Sequence, residues 1–317
     1  MQKKLILEIC QNHNGSSKLL KEMVHAASET GAKYVKIQDI NSKELTKRLR
    51  FESGKIKNRK LLVIKRPYMS ELNRLKKLDM KREFISNFVD YSIKYGLIPM
   101  VTPFTYNSFN RLKNQKVKAI KIASYDCSSV KFLEKFSKLK LPMIVSTGAT
   151  KKSEILEAAK ILKSSLHAFL HCVTIYPTPL NKCNLNKIKF LRRVIKNVGW
   201  SDHTLFERDG HIASLASLLC GANIIERHFT ILKKDKTKDG PVSINFNEAK
   251  QLTSYMKQDK KNLKEVLNHL NKDWRISLGV GSTRLSHLEL LNRDYYRGRF
   301  AKIMNGKANY NWQKEIL

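Results

Sequence analysis

Two histidines in the second half of the chain could hold one metal ion. His203 and His228 each close an apolar run, and a segment of about helical length, from His211 to Cys220, lies between the two runs. If the runs are neighbouring parallel strands, the two imidazoles emerge side by side at one edge of a sheet, within reach of a single ion. A packed or surface imidazole is the alternative for either histidine taken alone.

Two lysines lie inside apolar runs and need anionic partners. Lys36 and Lys121 are both flanked by apolar residues, and an ammonium group buried without an opposite charge is strongly destabilising. The partner of each lysine is either a carboxylate of the protein, such as Glu8 or Glu226, or a bound anion. The sequence leaves both alternatives open.

Polar residues recur at the ends of nearly all the apolar runs. Taken in order, they are Glu8, Lys36 with Gln38, Thr102-Pro103-Phe104, Lys121 with Ser124, Ser146-Thr147-Gly148, His171 with Thr174 and Tyr176, Ser201 with His203, and Glu226 with His228. The small hydroxyl residues and the glycine turn supply donors of the type that holds a phosphate. Together these residues favour metal-assisted carbon–carbon bond chemistry on a small, carboxylate-bearing phosphate ester.

The elements that must position these residues form a repeating pattern. Short β-branched or aliphatic runs alternate with amphipathic segments, which predicts parallel strands with helical crossovers. The predicted strands are Leu5–Ile9, Tyr34–Gln38, Ile98–Pro103, Ala119–Ser124, Pro142–Gly148, His167–Val173, Asn197–His203 and Asn223–Phe229. Eight such strands close a (β/α)8 TIM barrel, an α/β fold whose chemistry lies at the C-terminal ends of the strands.

Helices are expected between these strands. The predicted helices are Ser17–Thr30, Glu83–Tyr95, Asn107–Asn114, Ser128–Lys138, Ser153–Lys163, Asn184–Ile195, Asp209–Cys220 and Asn247–Leu270. The segment Ile40–Lys81 is too long for an ordinary βα loop and too basic for a core, so we expect an insertion over the mouth of the barrel. We divide the chain into a catalytic barrel, residues 1–270 with the basic insertion at about 40–82, and a linker with a C-terminal extension, residues 271–317.

Composition excludes several classes of protein. No apolar run approaches the roughly 20 residues that span a bilayer, and the N-terminal apolar run is too short for a signal peptide. The five cysteines form no CxxC pair, which suits reduced thiols and a cytoplasmic location. The formal charge of +34 comes mostly from lysines scattered over the predicted helices, so we interpret it as solvated surface rather than as a nucleic-acid site.

Seven motifs in the right order resemble the N-acetylneuraminate (sialic acid) synthase family. The resemblance runs from Glu8 to about Leu252 and rests on EICQNHNG (8–15), VKIQ (35–38), KIAS (121–124), STG (146–148), YPTP (176–179), SDHT (201–204) and ERHFT (226–230). It implies a (β/α)8 barrel that condenses phosphoenolpyruvate with an N-acetylated amino-sugar aldehyde, giving a nine-carbon 2-keto acid and phosphate.

The resemblance also implies roles for individual residues. His203 and His228 would ligate a divalent metal, most often Mn2+, with Mg2+ or Co2+ as other options. Glu8 and Glu226 would carry protons. The positions that match the phosphoenolpyruvate site are Lys36, Lys121, Ser124, Ser146, Gly148 and Ser201, with Thr174 beside them, and those that match the sugar site are Glu8, Gln38, Tyr176 and Glu226.

The sequence departs from the family pattern at three places. Thr174 stands where many members carry Asn, and Val242 stands where an acidic residue contacts the sugar, with Asp239 as a partial substitute. Members commonly continue into an antifreeze-like domain whose arginine reaches the partner's site, whereas here only a short Arg-rich tail, Tyr295 to Arg299, follows the linker. We therefore expect a homodimer with an open sugar site unless the insertion or this tail covers it.

A second function stays open at this stage. The high charge and the short C-terminal extension would also suit a catalytically inactive barrel that acts as a binding or scaffold protein, with nucleic acid as a partner. The intact set of histidines and lysines favours the enzyme. Which amino sugar it uses, the precursor of neuraminate, legionaminate or pseudaminate, does not follow from the sequence.

Overall fold

A closed parallel barrel forms the centre of the molecule. The computed structural model describes residues 2–79 and 82–312. Its strands are β1 (Lys4–Cys10), β2 (Tyr34–Asp39), β3 (Lys55–Lys57), β4 (Lys60–Val63), β5 (Ile98–Pro103), β6 (Ala119–Ile122), β7 (Met143–Ser146), β8 (Leu166–His171), β9 (Val198–Asp202), β10 (Ile224–Phe229), β11 (Ser243–Ile244), β12 (Ala301–Met304) and β13 (Lys307–Tyr310). Strands β1, β2 and β5 to β10 pair in that order, and β1 pairs with β10 to close the ring. The predicted TIM barrel and all its strands are confirmed.

The barrel interior has an apolar lower layer and a polar upper layer. Because side chains alternate along a strand, residues two apart face the same side. The apolar layer holds Ile6, Tyr34, Met100, Ala119, Ile144, Leu170 and Ile224. Two residues further along the same strands come Glu8, Lys36, Thr102, Lys121, Ser146, Cys172 and Glu226. The strand register therefore brings the predicted polar residues to one end of the barrel.

Helices lie around the outside of the barrel and over the C-terminal ends of its strands. They are α1 (Ser17–Ser28), α2 (Arg50–Ser53), α3 (Tyr68–Lys76), α4 (Arg82–Lys94), α5 (Asn107–Lys113), α6 (Val130–Ser137), α7 (Lys152–Leu162), α8 (Lys187–Val194), α9 (Phe206–Asp209), α10 (Ile212–Leu219), α11 (Phe246–Lys257), α12 (Lys260–Leu270) and α13 (His287–Tyr296). Except for α2, α3 and α13, which belong to other apolar clusters, their apolar faces pack on the outward residues of the strands, such as Leu5, Leu7 and Ile9. None of the helices in the described ranges is long and apolar enough to span a membrane.

One of the predicted helices is two helices, and another begins later than predicted. The segment Asn247–Leu270 breaks at Gln258, which is extended, and Asp259 caps the second helix by accepting a hydrogen bond from the backbone N–H of Asn262 at 2.8 Å. An aspartate that caps the backbone in this way favours a helix start over a helix interior. The predicted helix Asp209–Cys220 corresponds to α10. Its first residue, Asp209, ends α9 instead, and Gly210, whose φ is +52°, lies between the two helices.

The insertion and the C-terminal segment lie together over the C-terminal ends of the strands. The insertion comprises residues 40–81, of which 80 and 81 lie outside the described residues, and the C-terminal segment comprises residues 279–312. Apolar clusters join the two, with Leu45 and Leu75 against Phe300, and Phe51 against Tyr295. The C-terminal segment therefore folds back onto the barrel of its own chain.

Candidate active site

A cavity of about 310 Å³ opens at the C-terminal end of the barrel. It is lined by all the predicted site residues except Gly148, namely Glu8, Lys36, Gln38, Lys121, Ser124, Ser146, Thr174, Tyr176, Ser201, His203, Glu226 and His228. Gly148 lies just behind the wall, where an added Cβ would stand 2.7 Å from Sγ of Cys172 and 3.0 Å from Oγ of Ser124. The structure thus brings the predicted residues together in one place.

The two lysines flank one carboxylate at the bottom of the cavity. Nζ of Lys36 lies 3.9 Å from one oxygen of Glu226, and Nζ of Lys121 lies 3.8 Å from the other. Ser201 donates a hydrogen bond of 2.7 Å to the same carboxylate. Burial acts to raise the pKa of Glu226, but the two ammonium groups outweigh it and hold that pKa below its ordinary value. Glu226 is therefore a carboxylate at neutral pH.

Lys36 and Lys121 differ in their other partners. Lys36 forms an ion pair with Glu8 and donates to Oγ1 of Thr102 at 3.1 Å, so the ion pair that the sequence left open is present. Lys121 instead donates to Oγ of Ser146 at 2.6 Å. Burial lowers the pKa of Lys36 to about 7, because the negative charge of Glu226 offsets the effect of burial only in part. A bound anion would raise that pKa again, because it stabilises the charged form.

Small polar groups line the wall beside Lys121. Oγ of Ser124 lies 3.0 Å from Sγ of Cys172. The hydroxyl of Thr174 is buried and has no hydrogen-bond partner among the described residues. A buried hydroxyl without a partner is costly, so this wall offers unused hydrogen-bonding capacity to a polar ligand.

The two histidines lie side by side, as the sequence predicted. Their ring centroids are 5.5 Å apart. The carbonyl oxygen of Val173 lies 3.2 Å from Nδ1 of His203, and because a carbonyl can only accept, Nδ1 carries the proton and Nε2 presents a lone pair. The hydroxyl of Tyr176 is 3.0 Å from that Nε2.

The histidine pair fits a divalent metal. Burial, reinforced by the neighbouring His228, lowers the pKa of His203 to about 3, and burial also lowers the pKa of His228. Both rings are therefore neutral at physiological pH, the form that ligates metals. Nδ1 of His228 is buried with no hydrogen-bond partner in the described part of the chain. Two neutral imidazoles beside a carboxylate form a donor set suited to a divalent cation.

An ion pair on the outer side of the barrel joins β9 and β10, the two strands that position His203 and His228. Arg227 and Asp202 point away from the barrel interior, are fully buried, and approach to 2.6 Å. Asp202 also accepts hydrogen bonds from Thr204 and Ser214. Because Arg227 lies between Glu226 and His228 along β10, this outer contact orients the inner residues.

The predicted ring includes residues that do not line the cavity, among them His171. His171 is not at the cavity; its Nε2 is 2.8 Å from the carbonyl oxygen of Cys183 and its ring packs on Trp200. The prediction for His171 was wrong because Leu170 and Cys172 take the inward positions of this part of the chain, and the residue between them must face the helices.

The insertion and the C-terminal segment form the outer wall of the cavity. The insertion contributes Arg66, Glu71 and Arg74, and the C-terminal segment contributes Tyr295, Tyr296 and Arg299. Glu71 and Arg299 form an ion pair across the two segments. The mouth is thus narrowed by residues of the same chain, and they come from the insertion and the Arg-rich tail, the two segments expected to cover the site if it is not open. Both segments were evident as basic stretches, but their mutual contact was not.

Two further residues of the cavity had a signal in the sequence. Cys10 lies two residues after Glu8 and so faces the same side of β1. Asp239 lies in the loop after β10, and both residues line the cavity. Val242, which stands in place of an acidic residue, is buried outside the cavity lining.

Comparisons with known proteins agree with this architecture. Residues 23–268 match a family model described as the NeuB family. The chain is 31% identical over 295 residues to the N,N'-diacetyllegionaminic acid synthase of Campylobacter jejuni, covering 88% of this chain and 83% of that protein. It is 28% identical to a pseudaminic acid synthase of the same species, covering 94% of this chain and 81% of that protein.

A solved structure is similar over nearly the whole barrel. It is that of N-acetylneuraminic acid (sialic acid) synthetase from Leptospira borgpetersenii in complex with citrate. The TM-score is 0.70 at 26% identity, and the match covers 88% of this chain and 93% of that one.

Proposed function

Since this chain belongs to the NeuB family, we propose that it is a phosphoenolpyruvate-dependent synthase of a nine-carbon, sialic-acid-type 2-keto acid. Its named relatives make legionaminic and pseudaminic acids. The second substrate would be an N-acetylated amino-sugar aldehyde, and phosphate would be the other product. C3 of phosphoenolpyruvate would attack the aldehyde carbon, water would add at C2, and phosphate would leave by C–O cleavage.

The observation that carries this proposal is the presence of two lysines and two histidines in one cavity. Lys36 and Lys121 lie within 4 Å of the single carboxylate of Glu226. They form a compact cationic floor that could hold a small ligand with a phosphate and a carboxylate. Ser124 and Ser146 stand beside Lys121 and would add hydroxyl donors to the phosphate.

The part of the cavity around the two histidines would bind the sugar and a metal. His203 and His228 would hold a divalent cation, which when bound would act as a Lewis acid toward the aldehyde oxygen. Tyr176 presents its hydroxyl beside His203, and Gln38 accepts a weak hydrogen bond from Gln11 at 3.4 Å. These two polar groups are placed to contact hydroxyl or N-acetyl groups.

The carboxylates of Glu226 and Glu8 would each take part in one of the two proton transfers. Glu226 stays ionised between the two lysines and would accept a proton rather than donate one. Glu8 is paired with Lys36, whose pKa of about 7 allows it to exchange a proton near neutral pH. We propose that Glu226 takes a proton from the attacking water and that the Glu8–Lys36 pair returns one to the developing alkoxide.

A phosphate-release assay tests the proposed function. The protein is mixed with a divalent metal, phosphoenolpyruvate and a panel of 2-acetamido and 2,4-diacetamido hexoses, with samples lacking the sugar as the blank. We expect phosphate only when a sugar of the panel is present, together with a 2-keto acid in equal amount. No phosphate with any sugar would contradict the proposal and would favour a binding protein.

A pair of lysine variants tests the cationic floor. Lys121→Met removes a charge-assisted contact to phosphoenolpyruvate, which typically costs about 2–5 kcal/mol, so kcat/KM for phosphoenolpyruvate should fall by at least about 30-fold. The matched control is Lys196→Met, an exposed lysine just before β9 at the opposite end of the barrel. The control should keep wild-type kinetics. An equal effect of the two substitutions would show that Lys121 does not bind the substrate.

A further inference from the structure

A thiol and a second carboxylate lie next to the histidine pair. Sγ of Cys10, a carboxylate oxygen of Asp239 and a ring nitrogen of His228 all lie within 4.8 Å of one another. Cys10 ends β1, and Asp239 follows β10 in the loop above His228. Three side chains of metal-ligating type therefore share one corner of the cavity. His203 lies next to His228, with the two ring centroids 5.5 Å apart.

The backbone at Cys10 is held in an unfavourable conformation. Its φ is +54°, a left-handed conformation that costs a residue other than glycine about 1–2 kcal/mol. The pairing of β1 with β2 shifts register between Glu8 and Cys10, and the backbone N–H of Cys10 donates to Oε1 of Glu8 at 2.7 Å. Bulges and strained residues of this kind concentrate at sites where a side chain must be aimed at a ligand.

A hydrogen bond alone does not account for the cluster. The thiol of Cys10 donates to Oδ2 of Asp239 at 2.8 Å, which would satisfy these two residues by themselves. Nδ1 of His228, however, is buried with no partner among the described residues, and an unpaired buried nitrogen is costly. A single cation at this corner would engage the thiolate, the carboxylate and the imidazole together.

We propose that Cys10 and Asp239 are ligands of the divalent metal, together with His203 and His228. The proposal rests on the metal-dependent function proposed above and enlarges the ligand set of that metal to one thiolate, two imidazoles and one carboxylate. The thiol would release its proton to solvent as the ion binds. A thiolate favours thiophilic ions, so the site should prefer Zn2+, Fe2+ or Co2+ to the Mn2+ that a histidine pair alone suggests.

Cobalt spectroscopy tests the thiolate ligand directly. Co2+ is titrated into the metal-free, reduced full-length protein under argon. Bound Co2+ should produce a sulfur-to-cobalt charge-transfer band in the near ultraviolet, at one equivalent per chain. Cys10→Ser should lose this band. Cys172→Ser is the matched control and should keep the band. Cys172 is also buried in the cavity wall, but it is not one of the four proposed ligands.

Affinity measurements test the carboxylate and guard against misfolding. Competition with a chromophoric chelator should show that Cys10→Ser binds Zn2+ at least about 10–100-fold more weakly than the wild type. Asp239→Asn should keep the cobalt band but also bind more weakly. Cys10→Gly provides a second variant that lacks the thiol, and it should fold at least as well as the wild type because glycine adopts a positive φ without strain.

The outcomes separate this proposal from the proposed function. A cobalt band that survives in Cys10→Gly, or wild-type Zn2+ affinity in that variant, would overturn the thiolate ligand. If Co2+ supports phosphate release without any charge-transfer band, the synthase function stands and the ligand assignment is wrong. If the protein neither binds Co2+ nor releases phosphate, both proposals fail.

Discussion

The ion pair between Arg299 and Glu71 closes the mouth of the cavity. Its removal should cause a partial loss of stability and weaker binding of the sugar. Glu71 also accepts a two-point contact from Arg74, at 2.9 and 2.8 Å, and lies 3.9 Å from Nζ of Lys238. Burial acts to raise the pKa of Glu71, but these cations lower it from 4.5 to about 2. At about 1.4 kcal/mol per unit of pKa, this net lowering corresponds to about 3 kcal/mol, which the three cations together provide beyond the cost of burying the carboxylate.

Arg299→Met should therefore remove part of that energy. Because Arg74 keeps its contact, we expect the free energy of unfolding to fall by about 1–2 kcal/mol rather than by the 3–5 kcal/mol typical of a fully broken buried pair. If the arginine also contacts the sugar in the closed site, KM for the sugar should rise by about 5–30-fold, while KM for phosphoenolpyruvate changes little. Chemical denaturation and steady-state kinetics measure the two effects.

Arg293→Met is the matched control. Arg293 belongs to the same C-terminal segment and pairs with Glu154, but it does not line the cavity. It should lower stability by a similar amount and leave the sugar KM unchanged. If both substitutions raise the sugar KM equally, Arg299 acts only by holding the segment in place, and the reasoning that gives it a direct contact is refuted.

Three further outcomes are expected. Treatment with EDTA should abolish turnover without changing the far-ultraviolet circular dichroism, and His203→Ala should do the same; full activity after chelation would contradict a metal-dependent mechanism. Burial opposes the shifts at Glu71 and Glu154, but arginines hold both pKa values at about 2, below the ordinary 4.5. The stability that these depressed pKa values contribute is complete above pH 4.5 and is lost as the pH falls toward 2. Hydrogen exchange of residues 287–310 should therefore accelerate in this window before that of the barrel strands, and a uniform acceleration would argue against the assignment. Gly148→Ala places a Cβ 2.7, 2.9 and 3.0 Å from three side-chain atoms, so thermal unfolding should show a loss of about 1–3 kcal/mol, whereas unchanged stability would mean that the wall can relax.

The sequence was sufficient to predict the barrel and most of its site because the relevant information is local. Strands of parallel barrels are read from short apolar runs, and the alternation of side chains then fixes which residues share a face. This is why Lys36, Lys121 and Glu226 could be placed together before any contact was known. The same rule applied strictly would have excluded His171 and included Cys10.

The tertiary structure alone decided how the mouth of the barrel is closed. Arg299 and Glu71 are 228 residues apart in the chain, and neither basic stretch carries a pattern that specifies the other as its partner. Their pairing depends on the packing of Phe300 and Tyr295 against the insertion. That packing depends on how the two surfaces fit together and not on a periodic pattern of residues in the sequence. The corner formed by Cys10 and Asp239 is likewise a product of barrel closure, since only the pairing of β1 with β10 brings the first strand beside the last.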